Sequence, residues 1–272
     1  MTTNLIKGGR AVITGAGSGI GEATALRFAG MGAADIVCVD IELDAAENTA
    51  AQCRKLGAKA QAYKCDVADA KAQLALAEIV ETERGPVDIL VNNAGVGSGG
   101  PFLDLSIEDW DWLMGINLNG VSYGCYAFGP AMVKRGRGHV VNVASGAAYM
   151  MSRSAAAYCA SKAAVVAMSR CLRSDWADQG VGVSVICPGV INTPLYKTNT
   201  RMVGRTEEQL KRTAGIFEKL GHSPDLVAKA IVKSIQKNQE QVPVGIEASV
   251  LYRAIPLLPR PIEGLITRHM TL

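Results

Sequence analysis

Tyr158 and Lys162 are the residues whose types and spacing most directly suggest chemistry. They lie four residues apart in an alanine-rich stretch typical of a helix, so both side chains would project from one face. A phenol has a pKa of about 10 in model peptides, and a neighbouring ammonium group stabilises the phenolate and lowers that pKa. Tyr158 would then act as a general acid and base, taking a proton from an alcohol or returning it to a carbonyl oxygen.

Two further polar residues could complete this site. Ser145 follows a predicted strand, and its hydroxyl could hold the substrate oxygen or simply belong to a turn. Asn117 lies at a helix junction and could hold a water that links Lys162 to solvent, or only cap or kink the helix. A Tyr-x-x-x-Lys pair alone is common on helices. The predicted catalytic set of Asn117, Ser145, Tyr158 and Lys162 gains weight because a glycine-rich motif precedes it in the chain.

That glycine-rich motif runs from Thr14 to Gly21 and joins a predicted strand to a predicted helix. Glycine lets the backbone approach a pyrophosphate and adopt positive φ, and the helix N-terminus offers N–H groups and a partial positive charge. In this strand–turn–helix context the motif predicts a dinucleotide site. The residues expected to contact the dinucleotide here are Gly15, Ser18, Gly19, Ile20 and Gly21.

Asp40 ends the second predicted strand, 19 residues after Gly21. A carboxylate at this position accepts hydrogen bonds from the adenosine ribose hydroxyls and would repel a 2′-phosphate. The glycine-rich motif contains no Lys or Arg, and Ile41 follows Asp40. We therefore predict NAD(H) rather than NADP(H) as the cofactor. The alternative role for Asp40 is to cap a helix over residues 41–56.

The elements that must position these residues alternate along the chain as short apolar runs and longer amphipathic runs, which is typical of parallel βαβ units. We predict one α/β domain over residues 1–272, with a doubly wound parallel seven-stranded sheet carrying helices on both faces. Predicted strands cover 10–14, 35–40, 59–65, 87–91, 140–144, 183–187 and 242–244. Predicted helices in the first half cover 19–32, 41–56 and 68–84.

Composition excludes several function classes. The net charge is +3 without any block of like charges, which argues against nucleic-acid binding. The seven cysteines lack metal-ligand spacing, so we expect buried thiols and no metal site. No apolar run reaches the roughly 18 residues of a membrane span, and the first ten residues do not resemble a signal peptide. We therefore expect a cytoplasmic protein.

Two segments, 117–133 and 163–169, contain no charged side chain. A helix on the outside of a lone domain should have a polar face, so both faces of these helices are expected to be buried. One face would lie on the sheet and the other on a second subunit. We predict a homo-oligomer formed through these helices.

The chain resembles the short-chain dehydrogenase/reductase family over nearly its whole length. The matching motifs are Thr14-Gly15-x-x-x-Gly19-x-Gly21, Asp66-Val67, Asn92-Asn93-Ala94-Gly95, Asn117, Ser145, Tyr158-x-x-x-Lys162 and Pro188-Gly189 with Thr193. The resemblance implies that Asp66 and the Val67 amide bind the adenine, and that Asn93 and Gly95 line the adenosine and ribose side. It also implies a Rossmann fold, a carboxamide held by the Ile191 backbone and the Thr193 hydroxyl, and a homodimer or homotetramer. Tyr158 and Lys162 are expected to contact the cofactor as well as the substrate, since Lys162 can donate to the nicotinamide ribose.

The C-terminal part departs from the commonest family pattern, because a long tail over about 246–272 follows the last predicted strand. This tail resembles the branch that acts on lipophilic alcohols. It could pack on a neighbouring subunit, cover the pocket or, least favoured, touch a membrane. We expect a substrate lid over about 190–222, with a helix over 206–220. The apolar residues expected around the substrate are Met150, Met151, Leu195, Tyr196, Met202, Ile216 and Phe217.

The leading prediction is an NAD-dependent oxidoreductase that acts on a lipophilic secondary alcohol or ketone as its small-molecule partner. Two alternatives remain open. One is a catalytically silent dinucleotide-binding sensor or scaffold, although such proteins usually lack the tyrosine or the lysine. The other is an epimerase or dehydratase on the same fold, which generally has a longer chain with a larger substrate domain.

Overall fold

The centre of the fold is a sheet of seven parallel strands. A computed structural model describes residues 5–149, 153–195, 200–204, 206–257 and 259. The strands are β1 (Arg10–Thr14), β2 (Asp35–Asp40), β3 (Lys59–Lys64), β4 (Ile89–Asn92), β5 (Gly97–Gly99), β6 (Gly138–Val143), β7 (Val181–Pro188), β8 (Thr200–Met202) and β9 (Gln241–Val244). Seven of these strands form the large sheet, in the order β3-β2-β1-β4-β6-β7-β9, and the short strands β5 and β8 form a second sheet. This confirms the predicted doubly wound sheet, and the order reverses beside β1, where such sheets open a crevice at the carboxyl ends of the strands.

Helices cover both faces of the sheet, as predicted. They are α1 (Gly19–Gly30), α2 (Leu43–Lys55), α3 (Ala70–Arg84), α4 (Ile107–Met114), α5 (Gly120–Arg135), α6 (Ala156–Trp176), α7 (Glu207–Leu220), α8 (Pro224–Lys237) and α9 (Ile246–Ala254). Helices α1, α2 and α8 contribute to the core on one face. Helices α3, α5 and α6 pack on the other face.

The strands are apolar on both sides because each separates two cores. In β1, Ile13 belongs to the core that also contains Phe28 and Ile231, whereas the adjacent Val12 belongs to the core of Phe128. All five side chains are at most 1% exposed. Burying one such side chain contributes about 1.5–3 kcal/mol. The near-continuous apolar runs of the sequence are therefore those of a parallel sheet covered on both faces.

Charged residues hold the opposite end of the sheet, where the strands begin. Asp35 is 3% exposed and accepts from Arg10 Nε at 2.8 Å and from Arg84 Nε at 2.9 Å. Asp88 accepts from the Arg10 backbone N–H at 3.0 Å. These contacts fix the amino ends of β1 and β2 and leave the carboxyl ends to form a cleft.

Element ends differ slightly from the predictions, and some elements, including helices α4 and α8, were not predicted. Helix α2 begins at Leu43 rather than at Ile41, because Glu42 is extended and donates its N–H to Asp40 Oδ1 at 3.1 Å. The small parallel sheet of β5 and β8 was not predicted. Of the predicted tail, α9 and a 3₁₀ turn over Ile255–Leu257 are seen, and residues 258 and 260–272 lie outside the described residues. Among the described helices, none is both long and apolar enough to cross a membrane.

Candidate active site

The glycine-rich motif forms the tight turn between β1 and α1. Gly15 and Gly19 have φ values of +62° and +57°, in the left-handed region that favours glycine. A Cβ atom on Gly15 would lie 2.9 Å from Asn93 Nδ2. The turn therefore needs glycine for its conformation and for the close approach of the segment that follows β4.

Thr14 and Asn93 hold this turn against the end of β4. The Thr14 hydroxyl oxygen accepts from the backbone N–H groups of Asn93 and Ala94 at 3.0 and 3.1 Å. The Asn93 amide donates to the carbonyl oxygens of Thr14 and Gly15 at 2.9 and 3.2 Å. The amide of Asn93 thus positions the glycine turn. Thr14 has a role that the sequence motif contained but did not reveal.

Asp40 lies against the glycine turn rather than capping a helix. Its Oδ2 accepts from the Gly17 N–H at 2.8 Å, and a Cβ atom on Gly17 would come within 2.8 Å of the same oxygen. The N-cap position of α2 is Glu42. The carboxylate is therefore placed at the edge of the cleft, beside the turn.

Asp66 and Val67 follow β3 on the same side of the cleft. Asp66 Oδ1 accepts from the Ala68 N–H at 2.9 Å, and the Val67 carbonyl accepts from the buried amide of Gln73 at 2.6 Å. Gln73 also donates to the Gly120 carbonyl at 2.8 Å, which ties this segment to α5. Sequence analysis did not identify Gln73, because a glutamine inside a helix carries no local signal of such a role.

Tyr158, Lys162 and Ser145 converge at the other end of the cleft. Tyr158 and Lys162 lie on α6, with 9% and 4% of each residue exposed. Lys162 Nζ donates to the Val143 carbonyl at 3.2 Å and lies 5.9 Å from the centre of the Tyr158 ring. Ser145 follows β6, and its hydroxyl accepts from the Ala147 N–H at 3.1 Å. A hydroxyl, a phenol and an amine therefore meet where the first turns of α6 pass the carboxyl end of β6.

The electrostatics of this end are governed by burial. Burial raises the pKa of the Tyr158 phenol, and a hydrogen bond with Ser145 offsets part of that rise. Burial also lowers the pKa of Lys162 from 10.5 to about 8, with Cys187 opposing the change. The pKa of Tyr158 is raised because burial is its largest cause, and the Lys162 ammonium group donates to Val143. The predicted lowering by Lys162 together with a bound nicotinamide stays a prediction.

Asn117 is fully buried in a π-helical turn, Gly115–Asn119, that joins α4 to α5. Its Oδ1 accepts from the Val96 N–H at 2.8 Å, and its Nδ2 donates to the Val96 carbonyl at 2.9 Å. This pair of bonds fixes the chain just after Gly95, and a Cβ atom on Gly95 would lie 3.2 Å from Asn117 Oδ1 and 3.5 Å from Lys162 Nζ. The predicted water bridge between Asn117 and Lys162 stays a prediction.

The segment after β7 forms another wall of the cleft. Ile191 pairs with His222 in an isolated parallel bridge. Thr193 packs against the first residue of α1, since a Cβ atom on Gly19 would be 3.1 Å from Thr193 Cγ2. The predicted lid helix is present as α7, and β8 within the lid pairs with β5. Three residues predicted to line the substrate, Met150, Met151 and Tyr196, lie outside the described residues.

One cleft of about 360 Å³ contains nearly all the predicted site residues. Gly21 and Asn117 do not line it and instead support its walls, Gly21 by packing on the Gly15 carbonyl. The predicted residues that line it are Gly15, Ser18, Gly19, Ile20, Asp40, Asp66, Val67, Asn93, Gly95, Ser145, Tyr158, Lys162, Ile191 and Thr193. Apolar lining residues that were not predicted include Val96, Trp112, Ile116 and Pro194.

This arrangement fits a nicotinamide dinucleotide. A glycine turn at a helix N-terminus suits a pyrophosphate, and the same cleft is also lined by the phenol of Tyr158 and the amine of Lys162. Across the described parts of the chain, no cluster of three or more His, Cys, Asp or Glu side chains could hold a metal ion.

Curated relatives include oxidoreductases and dehydrogenases. The chain is 45% identical over 258 residues to the probable oxidoreductase EphD of Mycobacterium tuberculosis, covering 93% of this chain and 43% of EphD. It therefore spans less than half the length of that relative. It is 44% identical over 185 residues to D-threitol dehydrogenase of Mycolicibacterium smegmatis, covering 68% of this chain and 71% of the relative.

Solved structures give the same result. A short chain dehydrogenase/reductase from Burkholderia phymatum in complex with NAD matches with a TM-score of 0.85 at 31% identity, covering 98% of both chains. A metagenomic short-chain oxidoreductase in complex with NADP matches with a TM-score of 0.73 at 28% identity, covering 88% of this chain and 97% of the other. The family model described as short chain dehydrogenase matches residues 10–204. The chain belongs to the short-chain dehydrogenase/reductase family.

Proposed function

We propose that the chain is an NAD(H)-dependent oxidoreductase that transfers a hydride between the cofactor and a lipophilic secondary alcohol or ketone, with Tyr158 as the general acid and base. One observation carries the proposal. Tyr158, Ser145 and Lys162 line one end of a cleft whose other end is lined by the glycine turn and Asp40. A proton-transfer group and a dinucleotide site therefore share one cavity.

NAD(H) is favoured over NADP(H) by the position of Asp40. Its carboxylate stands at the glycine turn, where it would accept from the ribose hydroxyls and repel a 2′-phosphate. Solved relatives are in complex with NAD and with NADP, so this assignment rests on Asp40. The remaining binding residues would be Gly15, Ser18, Gly19 and Ile20 for the pyrophosphate, with Asp66, Val67, Asn93 and Gly95 on the adenosine side and Ile191 and Thr193 at the nicotinamide end.

The nicotinamide ring, when bound, supplies the acceptor or donor of the hydride. In oxidation the Tyr158 Oη takes the hydroxyl proton of the alcohol, and in reduction it returns that proton to the carbonyl oxygen. The Ser145 hydroxyl bonds Tyr158 and would hold the substrate oxygen. Lys162 would donate to the nicotinamide ribose and, while charged, would favour the phenolate of Tyr158.

The substrate end of the cleft is apolar. Val96 and Trp112 pack on the cluster of buried residues that contains Tyr158. Ile116 and Leu195 line the same cavity. Removing apolar substrate surface from water contributes about 25 cal/mol for each Å² buried. This lining favours a lipophilic substrate, whereas the similarity to D-threitol dehydrogenase points to a polyol as the second candidate.

The test is a substrate screen with NAD that follows NADH absorbance and covers aliphatic, aromatic and steroid alcohols together with D-threitol. Tyr158→Phe should lower kcat by about 10²–10⁴-fold, because general acid–base catalysis contributes that much, while NAD still binds. The matched control is Tyr63→Phe, since Tyr63 lies on β3 and bonds exposed Glu83.

Three outcomes would contradict parts of the proposal. Full activity in Tyr158→Phe would refute the acid–base role. Turnover of D-threitol without turnover of any lipophilic alcohol would replace the proposed substrate class. NAD binding without turnover of any alcohol or ketone would support the catalytically silent sensor instead.

We also propose a homodimer or homotetramer built on α5 and α6. Tyr126 on α5 is 72% exposed in the single chain, and Ala167 on α6 is exposed as well. A second subunit would cover this uncharged surface. Sedimentation of the wild type at micromolar concentration should give an oligomer and Tyr126→Lys a smaller species. A wild-type monomer would contradict the proposal.

A further inference from the structure

Glu247 forms an unexpected contact with the segment that follows β7. It lies in the first turn of α9, beyond the last strand of the sheet. Its Oε1 accepts from the backbone N–H of Val190 at 2.7 Å. A Cβ atom on Gly189 would lie 2.3 Å from the same oxygen, so the glycine leaves room for the carboxylate. Gly189 also lines the cleft.

The other oxygen of Glu247 contacts His222, which follows α7. Glu247 Oε2 lies 3.2 Å from His222 Nε2. The backbone of His222 brackets the same segment, because its N–H donates to the Val190 carbonyl and its carbonyl accepts from the Asn192 N–H, each at 2.9 Å. One carboxylate therefore joins the segment after β7, the end of the lid helix and the start of α9.

The contacts of Glu247 with Val190 and His222 lie next to residues that face the cleft. Ile191, between Val190 and Asn192, is 5% exposed and lines the cavity together with Thr193. Helix α9 also touches the turn of Ser145, since a Cβ atom on Gly146 would lie 3.3 Å from Ala248 Cβ. Burial would raise the pKa of Glu247, but hydrogen bonds from its own N–H, from Val190 and from His222 outweigh burial and lower it. The carboxylate is thus charged and bonded at neutral pH.

We infer that Glu247 is a positioning residue for the nicotinamide end of the site: its carboxylate holds segment 189–192 in the conformation that presents Ile191 and Thr193 to the cofactor. The inference rests on the proposed function, which places the nicotinamide beside these two residues. Glu247 itself does not line the cleft and acts through Val190 and His222.

The test compares two ligands that share the adenosine and pyrophosphate groups. NAD carries the nicotinamide, and ADP-ribose lacks it. In Glu247→Ala the dissociation constant for NAD should rise about tenfold, because the partly buried N–H of Val190 loses a charged acceptor. The constant for ADP-ribose should change by less than about twofold, because the glycine turn and Asp40 are untouched. Calorimetric titration measures both constants without turnover.

Two variants sharpen the comparison. Glu247→Gln keeps a carbonyl oxygen for the Val190 N–H and should restore NAD binding to within about threefold of the wild type. It also covers the case in which Glu247→Ala fails to fold, because a loss of NAD binding greater than about threefold in Glu247→Gln would by itself overturn the assigned acceptor role. Glu83→Ala on α3 is the control, since exposed Glu83 bonds only Tyr63 among the described contacts of its side chain.

The results separate this inference from the proposed function. Wild-type protein that binds neither ligand overturns both. Wild-type protein that binds NAD, with NAD and ADP-ribose weakened by the same factor in Glu247→Ala, overturns the positioning role alone, because the change is then a general loosening of the fold. Unchanged NAD binding in Glu247→Ala overturns it as well.

Discussion

The buried charge of Lys162 should lower the free energy of unfolding at neutral pH, and replacing Lys162 with an apolar residue should raise it. The side chain is 4% exposed, and burial lowers its pKa from 10.5 to about 8. At about 1.4 kcal/mol for each pKa unit, this fall corresponds to roughly 3 kcal/mol of unfavourable free energy at pH 7. Because the folded pKa lies below the unfolded one, the unfolded chain holds the proton more tightly. The penalty is therefore complete below pH 8, declines between pH 8 and pH 10.5, and disappears above that range.

The variant that tests this is Lys162→Met, which replaces the amine with an apolar chain of similar length. The Val143 carbonyl loses a donor at 3.2 Å, and an unsatisfied buried acceptor costs about 1–3 kcal/mol. We therefore expect a net gain in unfolding free energy of up to about 2 kcal/mol at pH 7. The loss at Val143 is the same at every pH, so the pH dependence is the sharper observable.

The assay is urea denaturation followed by circular dichroism at pH 7 and pH 10. The advantage of Lys162→Met over the wild type should shrink by about 2–3 kcal/mol between the two values. Exposed Lys233 on α8 provides the control, and Lys233→Met should differ from the wild type by the same amount at both pH values. A difference for Lys162→Met that does not change with pH would refute the reasoning. So would a difference that grows toward pH 10.

Three further outcomes follow from the same contacts. Asp35→Ala should lower the unfolding free energy by about 3–5 kcal/mol in urea denaturation, because Arg10 and Arg84 lose their buried partner, and a loss below 1 kcal/mol would contradict this. Asp40→Asn should shift the ratio of kcat/KM for NAD over NADP toward NADP by about tenfold or more, and an unchanged ratio would remove the basis for NAD preference. Because burial raises the pKa of Tyr158, its phenol stays protonated near neutral pH. The rate of ketone reduction should therefore be constant between about pH 6 and pH 8, while the rate of alcohol oxidation rises with pH. Parallel pH profiles for the two directions would contradict the assignment of Tyr158.

The sheet and the glycine turn could be predicted because their causes are local in the chain. A strand buried on both faces must be apolar along its whole length, as in Ile36 to Val39. A turn with positive φ next to a crowded backbone must use glycine, as at Gly15. The ends of the elements depend on single hydrogen bonds, such as that of the Glu42 N–H to Asp40, which the pattern does not contain.

The contacts that could not be predicted join distant parts of the chain. The small sheet of β5 and β8 pairs Gly97–Gly99 with Thr200–Met202. Three residues of Gly-Ser-Gly have little intrinsic tendency to form a strand, and only the returning lid segment gives them a partner. The hydrogen bond from the Val190 N–H to Glu247 likewise joins residues that are 57 positions apart in the sequence. Such contacts leave no periodic signal.

Tyr158 and Lys162 could be predicted from the sequence as a proposed acid–base pair. The pKa shifts of their side chains could not, because these depend on contacts with distant parts of the chain. A spacing of four on α6 places Tyr158 and Lys162 on one face, and the sequence contains that information. It does not contain the Val143 carbonyl, which draws Lys162 Nζ toward β6, or the depth of burial that raises the pKa of the phenol. The same burial that lowers the pKa of Lys162 makes its charge costly, so the proposed chemical role of the amine would come at the expense of stability. This is why a substitution at Lys162 should separate activity from folding more clearly than one at Tyr158.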